Sequence, residues 1–166
     1  MKIKFDLIQE ANRDLISNLI QFECYDLCTI YNKDLEENGT FSYELHDCYI
    51  RDKESYIIRI DDKIAGFLLV RKKIGLVSVE EFWIYPKYRK GLTTYKVLRE
   101  YCNIKKGLVE YLILKERESW VKTLEYMFRK HPNYVEIVIK QDIQLFINSE
   151  VRDFVRYVVK VKERNN

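Results

Sequence analysis

Val79-Glu80-Glu81-Phe82-Trp83-Ile84-Tyr85-Pro86-Lys87-Tyr88-Arg89-Lys90-Gly91 is the stretch that decides how this chain folds. Its first part, from Val77 to Tyr85, is rich in β-branched and aromatic residues and reads as a strand. Pro86 has no N–H for a sheet ladder and stops it. A short basic loop follows, and Thr93 or Thr94 opens a helix with Tyr95, Leu98 and Cys102 on one side and Val97 and Tyr101 beside them. Strand, proline turn, basic Gly-containing loop and helix thus follow one another within about 25 residues.

Outward from this stretch the chain alternates strand and helix signals. Upstream, Ser55 to Ile60 and Ile64 to Arg71 are strand-like runs joined by Asp61-Asp62-Lys63, the spacing of a hairpin. Residues 2–8 alternate apolar and polar as a first strand. Asn12 or Asp14 caps a helix bearing Leu15, Leu19 and Phe22 on one face, with Ile16 and Ile20 beside them. Asp34 to Asp52 is polar and aromatic, with Asn38-Gly39 as a turn signal, and reads as an irregular or partly helical connection. Downstream, Val109 to Lys115 is a fourth strand. Ser119 to Lys130 is a helix ending before His131-Pro132, and Tyr134 to Lys140 and Phe154 to Val161 are two last strands. The order β, α, antiparallel cluster, then β-α-β-α-β-β gives a mixed α/β, α+β-like sheet rather than a doubly wound one.

Composition bounds the rest. The 166 residues fit a single domain, 1–166, that buries one core, and five Gly and two Pro leave no linker at which to divide it. With 47% hydrophobic and 33% charged residues the balance is globular. No apolar segment follows the charges of Met1 to Asp6, and runs such as Ile64 to Val70 are too short to span a bilayer, so no membrane is expected. A net charge of +3 with both signs interspersed argues against nucleic acid, and Lys160-Val161-Lys162-Glu163-Arg164 reads as a solvated basic tail. Cys24, Cys28, Cys48 and His46 have the side chains for zinc, but no Gly or Pro turn flanks the cysteines. Packing on one helix face explains Cys24 and Cys28, so no metal is expected and a reduced, cytoplasmic protein is.

The segment Val79 to Gly91, the preceding hairpin Ile60-Asp61-Asp62-Lys63-Ile64-Ala65-Gly66-Phe67, and upstream Asn18 to Phe22, Tyr25 to Leu27 and Asp34 to Gly39 together resemble the GNAT (Gcn5-related N-acetyltransferase) superfamily, in particular small bacterial acetyltransferases. The resemblance covers residues 1 to about 130. It implies the GNAT fold, a central mixed and mostly antiparallel twisted sheet flanked by helices, with acetyl-CoA as cosubstrate and an acetyl acceptor that is a primary amine of a small molecule or a protein. A monomer or homodimer is expected.

The implied cofactor-binding residues are Phe82, Trp83 and Ile84, whose backbone would meet the pantetheine arm where a β-bulge splays the strand, and Arg89, Lys90, Gly91, Leu92, Thr93, Thr94 and Tyr95, which would wrap the pyrophosphate. The physics supports such a wrap: a helix N-terminus offers unpaired N–H groups and a positive dipole end. The family loop runs Arg-x-x-Gly-x-Gly or Ala, whereas this chain has Leu92 and Thr94 at the two small positions. That departure keeps a second expectation in view, a catalytically weakened GNAT-like binding module.

Acetyl transfer needs a neutral amine and a proton for the departing thiolate. The resemblance puts a carboxylate base on the motif strand, so Glu81 is the expected base with Glu80 as the alternative; consecutive strand residues point to opposite faces. The family's acid is a Tyr seven residues after a helix-start Asn. Here Ser119 takes the Asn-like place and Tyr126 falls seven later, with core packing as the competing reading. His46, with Asp34, Glu36, Glu37, Glu44 and Asp47, forms either an acidic rim for a cationic amine or a solvated face. Acetylation of aminoacyl-tRNA is a third reading and asks for a more basic surface.

Overall fold

The structure is a computed structural model and describes residues 1–147 and 150–162. Its strands are β1 (Ile3–Leu7), β2 (Tyr56–Ile60), β3 (Lys63–Lys73), β4 (Leu76–Ile84), β5 (Gly107–Leu114), β6 (Val135–Ile147) and β7 (Glu150–Val161). The helices are α1 (Arg13–Tyr31), the single turn α2 (Cys48–Arg51), α3 (Thr93–Ile104) and α4 (Glu118–Lys130), with 3-10 turns at Glu10–Asn12 and Pro86–Tyr88. The strands form a seven-stranded sheet in the order β1-β2-β3-β4-β5-β7-β6. Antiparallel pairing joins β1 to β2, β2 to β3, β5 to β7 and β7 to β6, whereas β4 and β5 run parallel. A parallel pair needs a crossover, and α3 supplies it. This is the mixed, mostly antiparallel architecture expected from the sequence. No described helix is long and apolar enough to cross a membrane.

The contacts divide the chain into two compact units. The first comprises Met1–Arg71 and Glu81–Trp83. In it β1 pairs with β2 from Ile3↔Ile60 to Leu7↔Tyr56. The β2–β3 hairpin closes through Asp61 and Asp62, both left-handed (φ 49° and 63°), the pattern of a two-residue turn that matches strand twist. Asp accepts this conformation more readily than most residues. Lys63 already belongs to β3, so the loop is one residue shorter than the sequence indicated.

The core of this unit gathers Ile16, Ile20 and Cys24 of α1 with Ile57, Phe67, Leu69 and Trp83. This corrects the expected face of α1. Ile16, Ile20, Glu23 and Cys24 are buried, Leu15 and Leu19 only flank the core, and Phe22 is 54% exposed. Both stripes are apolar and about one residue apart, roughly 100° of rotation, so periodicity alone cannot choose between them. Nor does either proposed cap act: Asn12 is the N-cap, but its Oδ1 accepts the Gln9 N–H (3.0 Å) and the cap has no side-chain hydrogen bond into α1.

The second unit comprises Lys72–Glu80 and the described residues from Ile84 onward. Here β4 pairs with β5 at Val77↔Val109, Ser78↔Glu110 and Val79↔Tyr111, and β5 pairs with β7 along its whole length. α3 packs against α4. The rings of Tyr111, Phe128 and Tyr157 meet at centroid distances of 6.1 and 5.6 Å, fixing α4 on the sheet.

Glu110, only 3% exposed, sits in the ladder of this unit. Its carboxylate accepts hydrogen bonds from Lys73 Nζ (2.6 Å), Ser78 Oγ (2.9 Å) and Arg156 Nε (2.6 Å). Burial pushes this carboxyl up, and the three donors more than reverse it, so its pKa lies below the usual value. The last two strands are longer than their sequence signal, because β6 and β7 pair with each other from Val135↔Val161 to Ile147↔Glu150. Lys160 and Val161 therefore close β7 instead of starting a tail, with Val161 buried; Glu163 and Arg164 of that basic segment lie outside the described residues.

Candidate active site

The motif run folds in the expected order. β4 ends at Ile84, Pro86–Tyr88 makes one 3-10 turn with proline at its start, and α3 begins at Thr93. Phe82, Trp83 and Ile84, the last residues of β4, have buried side chains. The Trp83 indole N–H donates to Asp26 Oδ2 (2.8 Å), and its ring stacks on Phe22 and Phe67 at 5.9 and 6.0 Å.

In the loop, Arg89 turns back and its Nε donates to the Ile84 carbonyl (2.6 Å), tying the loop to the end of the strand. Gly91 is left-handed (φ 58°), and a Cβ there would meet nothing within 4 Å; it serves the turn, not a close approach. Leu92 is the N-cap of α3, offers no side-chain cap and is 55% exposed. Thr93 Oγ1 donates to the Lys90 carbonyl (2.9 Å), and the Lys96 N–H donates to the Leu92 carbonyl (2.9 Å). The first turn of α3 thus starts with no side-chain acceptor at its cap, next to Arg89 and Lys90. This has the chemistry of an anion site, with Leu92 and Thr94 in place of small residues.

Tyr95, in the same turn, shares a hydrogen bond between its hydroxyl and His131 Nε2 (2.5 Å). Its ring stacks on His131 at 5.8 Å and meets Tyr126 edge-on at 5.4 Å. His131 in turn lies 4.8 Å from the ring of Tyr134. Tyr126, half-buried on α4, is therefore beside the first turn of α3, while Ser119 is exposed at the start of α4, its carbonyl accepting Thr123 Oγ1 (2.8 Å). From the sequence His131 reads as a cap or surface residue at the end of a helix, not as a neighbour of Tyr95. Its position just after α4, before Pro132, is the signal that it can face the start of α3.

The two candidate carboxylates have different surroundings. Glu80 lies 3.9 Å from Lys73, the lysine that also holds Glu110. Glu81 belongs to the first unit and raises the pKa of both Tyr43 and Cys24 there. Burial is the larger cause for both, and Glu23 adds to it, so the Tyr43 phenol and the Cys24 thiol are held protonated.

Glu23, 3% exposed on the core face of α1, was not apparent from the sequence. It lies seven residues after Ile16 and three after Ile20, in phase with the buried stripe. It becomes visible once that stripe, and not Leu15-Leu19-Phe22, is known to face inward. Asp34, Glu36, Glu37, Glu44, His46 and Asp47 of the connection are exposed while its Phe41, Leu45 and Tyr49 join the core, and Asp47 pairs with Arg13 (2.8 Å), so at that residue the acidic side behaves as a solvated face. Among the described residues no group of three or more His, Cys, Asp or Glu is placed to hold a metal ion.

No protein-family model matches the sequence, and no curated protein does. Solved structures match it along nearly its whole length. An acetyltransferase of the GNAT family from Bacillus cereus is 12% identical, with 99% of this chain and 100% of that chain covered and a TM-score of 0.60. The diaminobutyrate acetyltransferase of Paenibacillus lautus, solved with L-2,4-diaminobutyric acid and coenzyme A, is 9% identical over 99% and 98%, with a TM-score of 0.62. A spermidine N-acetyltransferase chimera from Vibrio cholerae and a second source is 13% identical over 96% of each chain, also at 0.62. At such identities the likeness is one of backbone architecture: this chain has the fold of the GNAT acetyltransferases.

Proposed function

We propose that the chain is an acetyl-CoA-dependent N-acetyltransferase acting on a primary amine, of a small molecule or a protein, in the cytoplasm. The observation that carries the reading is the continuous run from β4 through the proline turn and left-handed Gly91 into the uncapped start of α3, on a GNAT backbone. Backbone groups of Phe82, Trp83 and Ile84 hold the pantetheine arm. First-turn N–H groups of Thr94 and Tyr95, with Thr93, Gly91 and Leu92 beside them, receive the pyrophosphate, and Arg89 and Lys90 supply positive charge. Ser119 contacts the same cosubstrate from the start of α4.

Glu81 takes the proton of the acceptor ammonium, leaving a neutral amine to attack the thioester carbonyl. The C–N bond forms, the C–S bond breaks, Tyr126 gives its proton to the departing sulfur, and the second proton that the nitrogen sheds on becoming an amide returns Tyr126 to its phenol. Glu81 is preferred over Glu80 because Glu80 adjoins the Lys73–Glu110 cluster. The chain's own contribution is mostly positioning, which is the larger part of catalysis when two substrates must meet.

A second reading, a binding module with weakened cosubstrate use, is favoured by one observation, the Leu92 side chain at the cap position where the family has a glycine. Titration calorimetry with about millimolar acetyl-CoA decides between them. Heat of binding that is lost in Arg89→Glu, with circular dichroism showing that variant folded, supports the enzyme; no binding by the intact protein refutes it.

A further inference from the structure

The sheet ends in two unlike edges. One is β1, five residues long and carrying Lys4. The other is β6, thirteen residues long, with no described strand beyond it. At about 3.3 Å per residue it offers a row of outward main-chain donors and acceptors about 43 Å long. Ile137, Val138, Ile139 and Phe146 on it are exposed. A long apolar edge of this kind is a template for another strand, and soluble proteins ordinarily shorten it, cover it or charge it.

We infer that β6 joins two copies of this chain, strand to strand and antiparallel, about a twofold axis through Gln141. The sequence of the strand specifies that partner. Gln141 is its midpoint, with six residues on either side. Antiparallel self-pairing about it sets Lys140 of one copy opposite Asp142 of the other, twice by symmetry. It also sets Ile139 opposite Ile143 and Ile137 near Leu145.

Moving the axis by one residue destroys the match: centred on Lys140 two lysines face each other, and centred on Asp142 two aspartates do. The charges that would block a foreign strand thus select this strand's own copy in one register. Each also keeps a partner within its own chain, Lys140 with Glu125 and Asp142 with Lys115, both at 2.8 Å, so the cross-copy pairs extend existing networks. The bulge at Val138, where the register with β7 shifts between Ile137 and Ile139, confines regular pairing to Ile139–Ile143 and leaves Ile137, Val138 and Phe146 as apolar ends. The inference uses residues of the second unit alone and does not depend on the acetyl-transfer reading.

Sedimentation velocity on the full chain tests it by charge swap. Wild type sediments as a dimer at about 50 µM. Lys140→Asp and Asp142→Lys, each confirmed folded by circular dichroism, self-associate roughly tenfold or more weakly, because two attractive pairs become repulsive. Mixed in equal amounts they form a heterodimer, since every Asp then faces a Lys; the double swap Lys140→Asp/Asp142→Lys restores the homodimer. A monomeric wild type overturns the inference, and so does a dimer that both single reversals leave intact.

Discussion

Glu110→Gln tests whether the parallel pairing of β4 with β5 is pinned by buried charge. Glu110 accepts hydrogen bonds from Lys73, Arg156 and Ser78. Two of the donors are cations, and a hydrogen bond to a charged group contributes about 1.5–3 kcal/mol. Removing one partner of a fully buried ion pair costs about 3–5 kcal/mol. Lys73 and Arg156 are each roughly a third exposed and recover part of their hydration, whereas the Ser78 hydroxyl is fully buried. The amide keeps an oxygen acceptor, so a loss of about 3 kcal/mol is expected at pH 7, read from urea unfolding.

The same group sets a pH dependence. Its folded pKa lies below the ordinary 4.5, so the stabilisation is fully present above that value and disappears as pH falls through the folded pKa. The gap between wild type and Glu110→Gln should therefore be constant from about pH 6 to 7 and narrow below about pH 4.5. A gap under about 0.5 kcal/mol at pH 7, or one that widens on acidification, would refute the reasoning.

Three further outcomes are expected. Thr94→Gly should tighten acetyl-CoA binding in calorimetry, despite a helix-propensity cost of roughly 1 kcal/mol, because it removes a side chain from the pyrophosphate turn; weaker binding would mean that the threonine hydroxyl serves the phosphate. Tyr126→Phe should leave folding and acetyl-CoA affinity nearly unchanged while turnover with an amine acceptor falls roughly 100- to 10,000-fold, and unaltered turnover would remove Tyr126 from the mechanism. Gly91→Ala should lower stability by about 1–2 kcal/mol in thermal or urea unfolding, since its left-handed φ penalises any Cβ even where space is open; a neutral effect would show that the loop re-forms without it.

Much of the fold was legible because its signals are local. Hairpin spacing marked β2 and β3, Pro86 and the residues after it marked the end of β4, and the apolar positions Val97, Leu98, Tyr101 and Cys102 marked α3. The candidate cosubstrate loop was legible for the same reason: strand, turn and helix start are contiguous in sequence.

What tertiary structure decided depends on partners distant along the chain. Two competing apolar stripes left the face of α1 open until Phe67, Leu69 and Trp83 packed against Ile16, Ile20 and Cys24, and the buried position of Glu23 followed from that choice. Glu110 reads as an ordinary polar strand residue until Lys73, Ser78 and Arg156 converge on it from strands up to 46 residues away. Likewise His131 became a neighbour of Tyr95, 36 residues before it, only when α3 packed on α4. Periodicity fixes which residues share a face of one element, but burial of a charge is set by groups that only the folded sheet and helices bring within hydrogen-bond reach.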